Sequence, residues 1–145
     1  MKVLVLNGPN LNMLGKREKN HYGSLTLANI ESKLKQAYPD HKITFYQSNH
    51  EGELVTKIHE ATSDGTEIIL CNFGGLTHSS VSLHDALKLF HGPKVEVHLS
   101  NIHARESFRH NSITAGACNG VVAGFAEHSY LLGMEAALRL SKEGV

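Results

Sequence analysis

Three short stretches of this sequence, Val3-Leu4-Val5-Leu6, Ile68-Ile69-Leu70-Cys71 and Val121-Val122-Ala123, are apolar without a break. A strand with one wet face alternates apolar and polar residues, whereas an unbroken run suits a strand covered on both faces, the usual state of strands in a parallel sheet. Ile43 to Tyr46 and Val95 to Val97 read as two further strands. Between the strands, apolar residues recur at helical spacing: Leu27, Ile30, Leu34 and Ala37; Leu54, Ile58 and Ala61; Leu83, Leu87 and Phe90; Leu131, Met134 and Leu138.

Strand and helix signals thus alternate along the whole chain, with connections long enough for right-handed crossovers. The expected fold is α/β: a flavodoxin-like, doubly wound parallel sheet of about five strands with helices on both faces. No repeat, linker or low-complexity tract divides the chain, and 145 residues suit one domain, 1–145, able to bury a core without metal or disulfide staples.

Fourteen Lys plus Arg balance fourteen Asp plus Glu. With no basic stripe, nucleic acid is not an expected partner and a small molecule is. Cys71 and Cys118, far apart in sequence and in apolar or small-residue surroundings, read as buried thiols of a reducing compartment rather than as a disulfide or metal pair. The chain enters a strand with no apolar leader and has no run of membrane-spanning length, so a cytoplasmic, membrane-free protein is expected.

Polar residues follow almost every strand. Val3–Leu6 leads into Asn7-Gly8-Pro9-Asn10, Ile43–Tyr46 into Gln47-Ser48-Asn49-His50-Glu51, Ile68–Cys71 into Asn72-Phe73-Gly74-Gly75-Leu76-Thr77-His78, and Val95–Val97 into His98-Leu99-Ser100-Asn101. Ligands of open parallel sheets bind beyond the carboxyl ends of the strands, so these segments outline a site.

Several chemistries lack their spacing. There is neither G-x-G-x-x-G after the first strand nor G-x-x-x-x-G-K-[ST], which leaves a nucleotide without its usual phosphate cradle. Eleven histidines invite a metal, but H-E-x-x-H is missing, and His98, His103 and His110 are not spaced to place two ligands on one helical turn. No cofactor and no metal are expected.

A proton-transfer set remains. Arg17 and Tyr22 lie in a polar stretch with glycine at either end, a pattern suited to a mobile lid. An unperturbed tyrosine of pKa about 10 is roughly one-thousandth phenolate at neutral pH, and a nearby arginine recovers about tenfold per unit of depression. The competing reading is an exposed loop whose tyrosine packs on the first helix. Glu96 and His98, two apart on a strand, share a face. The carboxylate can orient the imidazole and favour its protonated form, suiting it to donate to a leaving group; a purely structural ion pair would look the same. Ser100 and Asn101 follow where backbone N–H groups ahead of a helix can hold a carboxylate.

These motifs, with Arg17-Glu18, Tyr22-Gly23-Ser24, Glu51-Gly52 and Ile102-His103-Ala104-Arg105-Glu106 through Phe108-Arg109-His110, resemble type II 3-dehydroquinate dehydratase nearly end to end, in order and spacing. The resemblance implies a cofactor-free hydro-lyase that removes water from 3-dehydroquinate with anti stereochemistry, through an enolate, to give 3-dehydroshikimate. It implies Tyr22 as the base, Arg17 as the lid residue that tunes it, Asn10 as the residue placing an enolate-stabilising water, and His98 as the acid with Glu96 as its partner. Asn72, His78 and Arg109 match positions that hold ring hydroxyls, and the Leu99 backbone N–H and Ser100 match the carboxylate site. Asp85 matches a residue reaching a neighbouring subunit's site, in a homo-oligomer of trimers assembled as a dodecamer.

Three local departures stand out: Phe73 in place of a small residue or proline, Lys19 in place of a frequent lid proline, and Thr114-Ala115-Gly116-Ala117-Cys118-Asn119 before the last strand. They bear respectively on how the Asn72 loop sits, on lid rigidity, and on packing or a subunit contact. A non-enzymatic binder of a cyclic polyhydroxy acid would keep the binding residues without needing Tyr22, Arg17 and His98 together. A flavodoxin-like electron carrier would need a Ser/Thr/Gly-rich phosphate loop and an acidic surface.

Overall fold

The computed structural model describes residues 1–16 and 25–145. Five strands, β1 (Lys2–Asn7), β2 (Lys42–Gln47), β3 (Ile68–Asn72), β4 (Lys94–His98) and β5 (Gly120–Ala123), form one sheet in the order β2-β1-β3-β4-β5. All pairings are parallel. Among the described residues, four α-helices connect or follow the strands: α1 (Leu27–Ala37), α2 (Glu51–Ala61), α3 (Val81–Lys88) and α4 (His128–Lys142). This is the flavodoxin-like architecture expected from the alternation of signals.

The unbroken apolar runs of β1 and β3 serve two cores at once, because successive side chains point to opposite faces. Contrary to expectation, the run in β5 is not covered on both faces, since β5 is the edge strand, with Val121 exposed and only Val122 at the margin of a core. Val3 and Val5 of β1 pack with Ile30 and Leu34 of α1 and with Tyr130, Met134 and Ala137 of α4. Leu4 and Leu6 pack on the other face with Leu54 and Ile58 of α2 and Leu83 and Leu87 of α3. Helix starts are locally encoded. Thr26 and Asn29 form a reciprocal capping box on α1, and Ser80 Oγ accepts from Leu83 N at 2.9 Å on α3. On α4, Gly133 permits close approach to the sheet, since a Cβ there would meet Val97 Cγ1 at 2.6 Å.

The expected helical stripes shift at two places. Ala37 is exposed, and the α1 stripe continues through Tyr38 instead. On α4 the buried positions are Ser129, Tyr130, Gly133, Met134 and Ala137, with Leu131 and Leu138 at the margin. Close packing against β4 admits the glycine, which hydropathy reads as neutral. Cys71 is buried and Cys118 half-buried, both as free thiols, but their distance in sequence does not persist in space: the two sulfurs are 3.8 Å apart. Hydrogen bonding to Cys118 and burial hold the Cys71 thiol above its ordinary pKa. None of the described helices is long and apolar enough to cross a membrane.

Candidate active site

Each strand in the centre of the sheet ends on a polar residue. β1 ends at Asn7, β3 at Asn72 and β4 at His98, and a cleft of about 180 Å³ opens beyond them. Its walls come from the segments after β1, β3 and β4, beside the point where the connections from β1 and β3 leave in opposite directions along the sheet.

Main-chain contact ties the first two walls together. Gly8 N donates to the Asn72 carbonyl at 2.8 Å, and a Cβ on Gly8 would lie 2.2 Å from the Phe73 carbonyl oxygen. Phe73 is fully buried among Leu6, Leu83 and Leu87, so this departure from the family pattern anchors the Asn72 loop in the core. Asn10 follows at φ 71°, in the left-handed region that asparagine tolerates. Its N–H donates to Asn49 Oδ1 at 3.0 Å, and Asn49 Oδ1 also accepts from Gln47 Nε2 at 3.1 Å. Polar residues at and just after the end of β2 therefore set the backbone of the loop after β1.

Glu96 and His98 meet as their spacing on β4 predicts, with Glu96 Oε2 2.9 Å from His98 Nε2. A carboxylate can only accept, so Nε2 carries the proton of this bond and Nδ1 is the remaining ring nitrogen. His98 lines the cleft and Glu96, fully buried, stands behind it. Two hydroxyls complete the carboxylate's shell: Ser112 Oγ donates to Oε2 at 2.8 Å and Thr114 Oγ1 donates to Oε1. Burial alone would raise the Glu96 pKa, but hydrogen bonds from His98, Thr114 and Ser112 outweigh it and hold the group below its ordinary value. Glu96 is thus a buried carboxylate kept ionised by three donors.

Asn72 and His78 also line the cleft. Asn72 Oδ1 accepts from Gly74 N at 3.2 Å, and its Nδ2 donates to Tyr130 Oη at 3.0 Å. His78 Nδ1 lies 2.9 Å from the Asn111 carbonyl, which makes Nδ1 the donor and leaves Nε2 as an acceptor in the neutral ring. Leu99, Ser100 and Arg109 lie on the same cleft. Arg109 Nε is 3.3 Å from Glu106 Oε1, and its guanidinium sits over the Phe108 ring at 4.9 Å.

No helix follows Ser100. Asn101 caps only a 3-10 turn, Ile102–Ala104, by accepting from His103 N at 3.1 Å. The expected helix N-terminus is therefore missing, and Arg105 stands at this end of the cleft, with Nη1 3.4 Å from Ser100 Oγ. Asp85 lies away from the cleft of its own chain, exposed on α3 with Oδ1 3.2 Å from His84 Nδ1. Arg17, Tyr22 and the lid substitution at Lys19 lie outside the described residues.

Four structural contributors escape a reading of the sequence. Arg105 stands inside a motif that is visible as a string but carries no spacing signal of its own. Ser112 and Thr114 reach Glu96 from 16 and 18 residues away, and Tyr130 reaches the first strand from 123 residues away. Thr114 belongs to the segment that departs from the family pattern, and it is fully buried against Glu96. Among the described residues no three His, Cys, Asp or Glu side chains are arranged to hold a metal ion.

Similarity to known proteins agrees with this geometry. The chain is 52% identical over 136 residues to the 3-dehydroquinate dehydratase of Rhizobium johnstonii, covering 92% of this chain and 93% of that one. It is 47% identical over 137 residues to the 3-dehydroquinate dehydratase of Caldicellulosiruptor bescii, covering 93% and 94%. The crystal structure of type II dehydroquinase from Butyrivibrio crossotus superposes with a TM-score of 0.91 at 42% identity, covering 94% of this chain and 97% of that one. The family model for class II dehydroquinases matches residues 1–138, and the chain belongs to that family.

Proposed function

We propose that this protein is a 3-dehydroquinate dehydratase that eliminates water from 3-dehydroquinate in the anti sense, through an enolate. The observation that carries the reading is the buried Glu96–His98 pair, with Glu96 behind His98 and His98 on a cleft shared with Asn72, His78, Ser100 and Arg109.

Tyr22, as phenolate, removes a proton from the carbon next to the ketone. The electrons move into the carbonyl to form an enolate, whose charge is met by a water held at Asn10; a preorganised dipole aimed at developing charge lowers the barrier. Collapse of the enolate expels the ring hydroxyl, which takes a proton from His98 and leaves as water. Nδ1 of His98 is the nitrogen for that transfer, because Nε2 is engaged by Glu96. Glu96 holds the ring's orientation, while Tyr22 gives the proton it took to solvent and His98 regains one from solvent at Nδ1.

The substrate carboxylate meets the Leu99 N–H and Ser100, and Asn72, His78 and Arg109 hold the ring hydroxyls. Asp85, exposed on α3 and away from its own cleft, serves a neighbouring subunit's site in a dodecamer of trimers. An ultraviolet assay for the conjugated product, run with purified protein, 3-dehydroquinate and a chelator, tests the reading. Product formation undiminished by chelator is expected, and its absence at every pH would refute the activity.

A further inference from the structure

Asn7 and Asn72 are register partners on the neighbouring strands β1 and β3. Both are buried, and between their amides lies the phenol of Tyr130 from the first turn of α4, also fully buried. Tyr130 Oη donates to Asn7 Oδ1 at 2.7 Å and accepts from Asn72 Nδ2 at 3.0 Å. Backbone groups close both ends of this chain of bonds. Asn7 Nδ2 donates to the Tyr46 carbonyl at 3.4 Å, and Asn72 Oδ1 accepts from the Gly74 N–H at 3.2 Å.

A carbonyl cannot donate and an amide N–H cannot accept, so the direction of every bond between them follows. The Tyr46 carbonyl turns the Asn7 nitrogen toward β2 and the Asn7 oxygen toward Tyr130. The phenol, with a single proton, spends it on that oxygen and presents only a lone pair to Asn72. Asn72 must then offer its nitrogen to Tyr130, the same orientation that Gly74 requires from the other end. Reversing any one amide would set two acceptors or two donors face to face, at a cost that is high in a buried site. Burial also pushes the Tyr130 phenol above its ordinary pKa, so it stays a one-proton relay across the working pH range.

We infer that Tyr130 is a positioning residue that fixes the polarity of Asn72, so that the cleft receives the second N–H of that amide, a donor, at the place where a ligand oxygen binds. The inference rests on the role given to Asn72 under Proposed function. Tyr130 itself is not among the residues of the cleft; it acts only through Asn72. The ligand chemistry selected is an oxygen with a lone pair turned toward Asn72, such as a ring hydroxyl that donates its own proton elsewhere. His78 Nε2, left as an acceptor on the same cleft, can take such a proton.

The test is a double-mutant cycle on steady-state kinetics with 3-dehydroquinate, using the wild type, Tyr130→Phe, Asn72→Ala and the double variant. Tyr130→Phe keeps the ring, which stacks on Phe45 at 6.2 Å, and removes only the hydroxyl. Expected is a rise of about tenfold in KM with a smaller change in kcat and an unmoved pH profile, the size of one hydrogen bond lost from binding. In the Asn72→Ala background the same substitution should leave KM unchanged, because the group it positions is gone. Additive effects in the cycle, or an unchanged KM in folded Tyr130→Phe, would overturn the inference.

Asn7→Leu gives a second arm should Tyr130→Phe not fold. It removes the acceptor that commits the phenol proton, from a residue that does not line the cleft, and should raise KM in the same way; an unchanged KM in folded Asn7→Leu would count against the relay. Failure of the functional reading looks different, since the wild type would then show no turnover at all.

Discussion

Glu96 Oε2 lies 2.9 Å from Nε2 of His98, and the two residues alternate with Val97 along β4, whose side chain faces α4 instead. An anion fully enclosed by protein is a costly arrangement unless it is paired and hydrogen-bonded, and His98, Ser112 and Thr114 supply those partners. Glu96→Gln keeps the shape and removes the charge. It should lower kcat by about 10²-fold or more, within the range general acid catalysis contributes, and leave KM close to the wild-type value. Steady-state kinetics of this variant check the assignment; full activity would rule out Glu96 as the partner of the acid.

The hydroxyls of Thr114 and Ser112 give Glu96 a stability signature that depends on pH. Glu96 is held below its ordinary pKa of 4.5 in the folded chain, so its contribution is present in full above that value and is lost as the pH falls toward the folded pKa. Thr114→Val removes one donor to a buried carboxylate and should cost about 1.5–3 kcal/mol at pH 7. The cost should shrink as the pH drops below the ordinary value, because a protonated carboxyl needs that donor less. Denaturation curves at pH 7 and at successively lower pH through the acid range follow the change, and a pH-independent difference would mean that Thr114 acts only by packing.

Much of this was legible from the sequence, and the reason is local. Val3–Leu6, Ile68–Cys71 and Val121–Ala123 announce parallel strands by composition alone, and β1, β3 and β5 contain them, but burial follows only in β1 and β3, because β5 is the edge strand and Val121 is exposed on it. The strand ends are instructive. Hydropathy stops at Leu6, Tyr46, Cys71 and Val97, yet the ladder runs one residue further, to Asn7, Gln47, Asn72 and His98. Backbone pairing does not depend on side-chain polarity, and on β3 and β4 the residue that ends the hydrophobic signal, Asn72 or His98, is the one the sheet presents to the cleft. Tyr130, Ser112 and Thr114 were not legible as contributors because their partners are distant in sequence, and neither periodicity nor spacing encodes such a contact. The proximity of Cys71 to Cys118 was hidden for the same reason.

Gly8 is predicted to be intolerant of any side chain. A Cβ there would sit 2.2 Å from the Phe73 carbonyl oxygen, backbone against backbone, with Phe73 held in the core. Neither side can yield cheaply, so Gly8→Ala should destabilise by about 1–3 kcal/mol. It should also push the Asn10 loop away from the Asn72 loop and reduce activity. Thermal melting and kcat/KM read the two effects; a fully active Gly8→Ala would mean that this contact does not position the site.

Assembly is tested by size. The chain should run in sizing chromatography or light scattering far above its 15.9 kDa monomer mass. Asp85 is exposed and away from its own cleft, so Asp85→Ala should weaken turnover only through a neighbouring subunit's site. A fully active monomer would remove the subunit-sharing role.

Tyr22 and Arg17 carry the strongest test of the proposed mechanism. Tyr22→Phe deletes the proton acceptor and should abolish turnover while leaving the carboxylate and hydroxyl contacts, hence affinity, nearly intact. If Arg17 stabilises the Tyr22 phenolate, Arg17→Ala should cut kcat strongly at neutral pH and move the ascending limb of the rate profile to higher pH, because the phenolate then forms later. Arg17→Lys should restore only part of the loss, since an ammonium supplies charge without the planar fork or its reach. A role in substrate binding alone gives a different pattern: a raised KM, near-normal kcat at saturation and an unmoved limb. Profiles of kcat against pH for the two arginine variants separate these outcomes, and an unshifted ascending limb in Arg17→Ala would refute the tuning role.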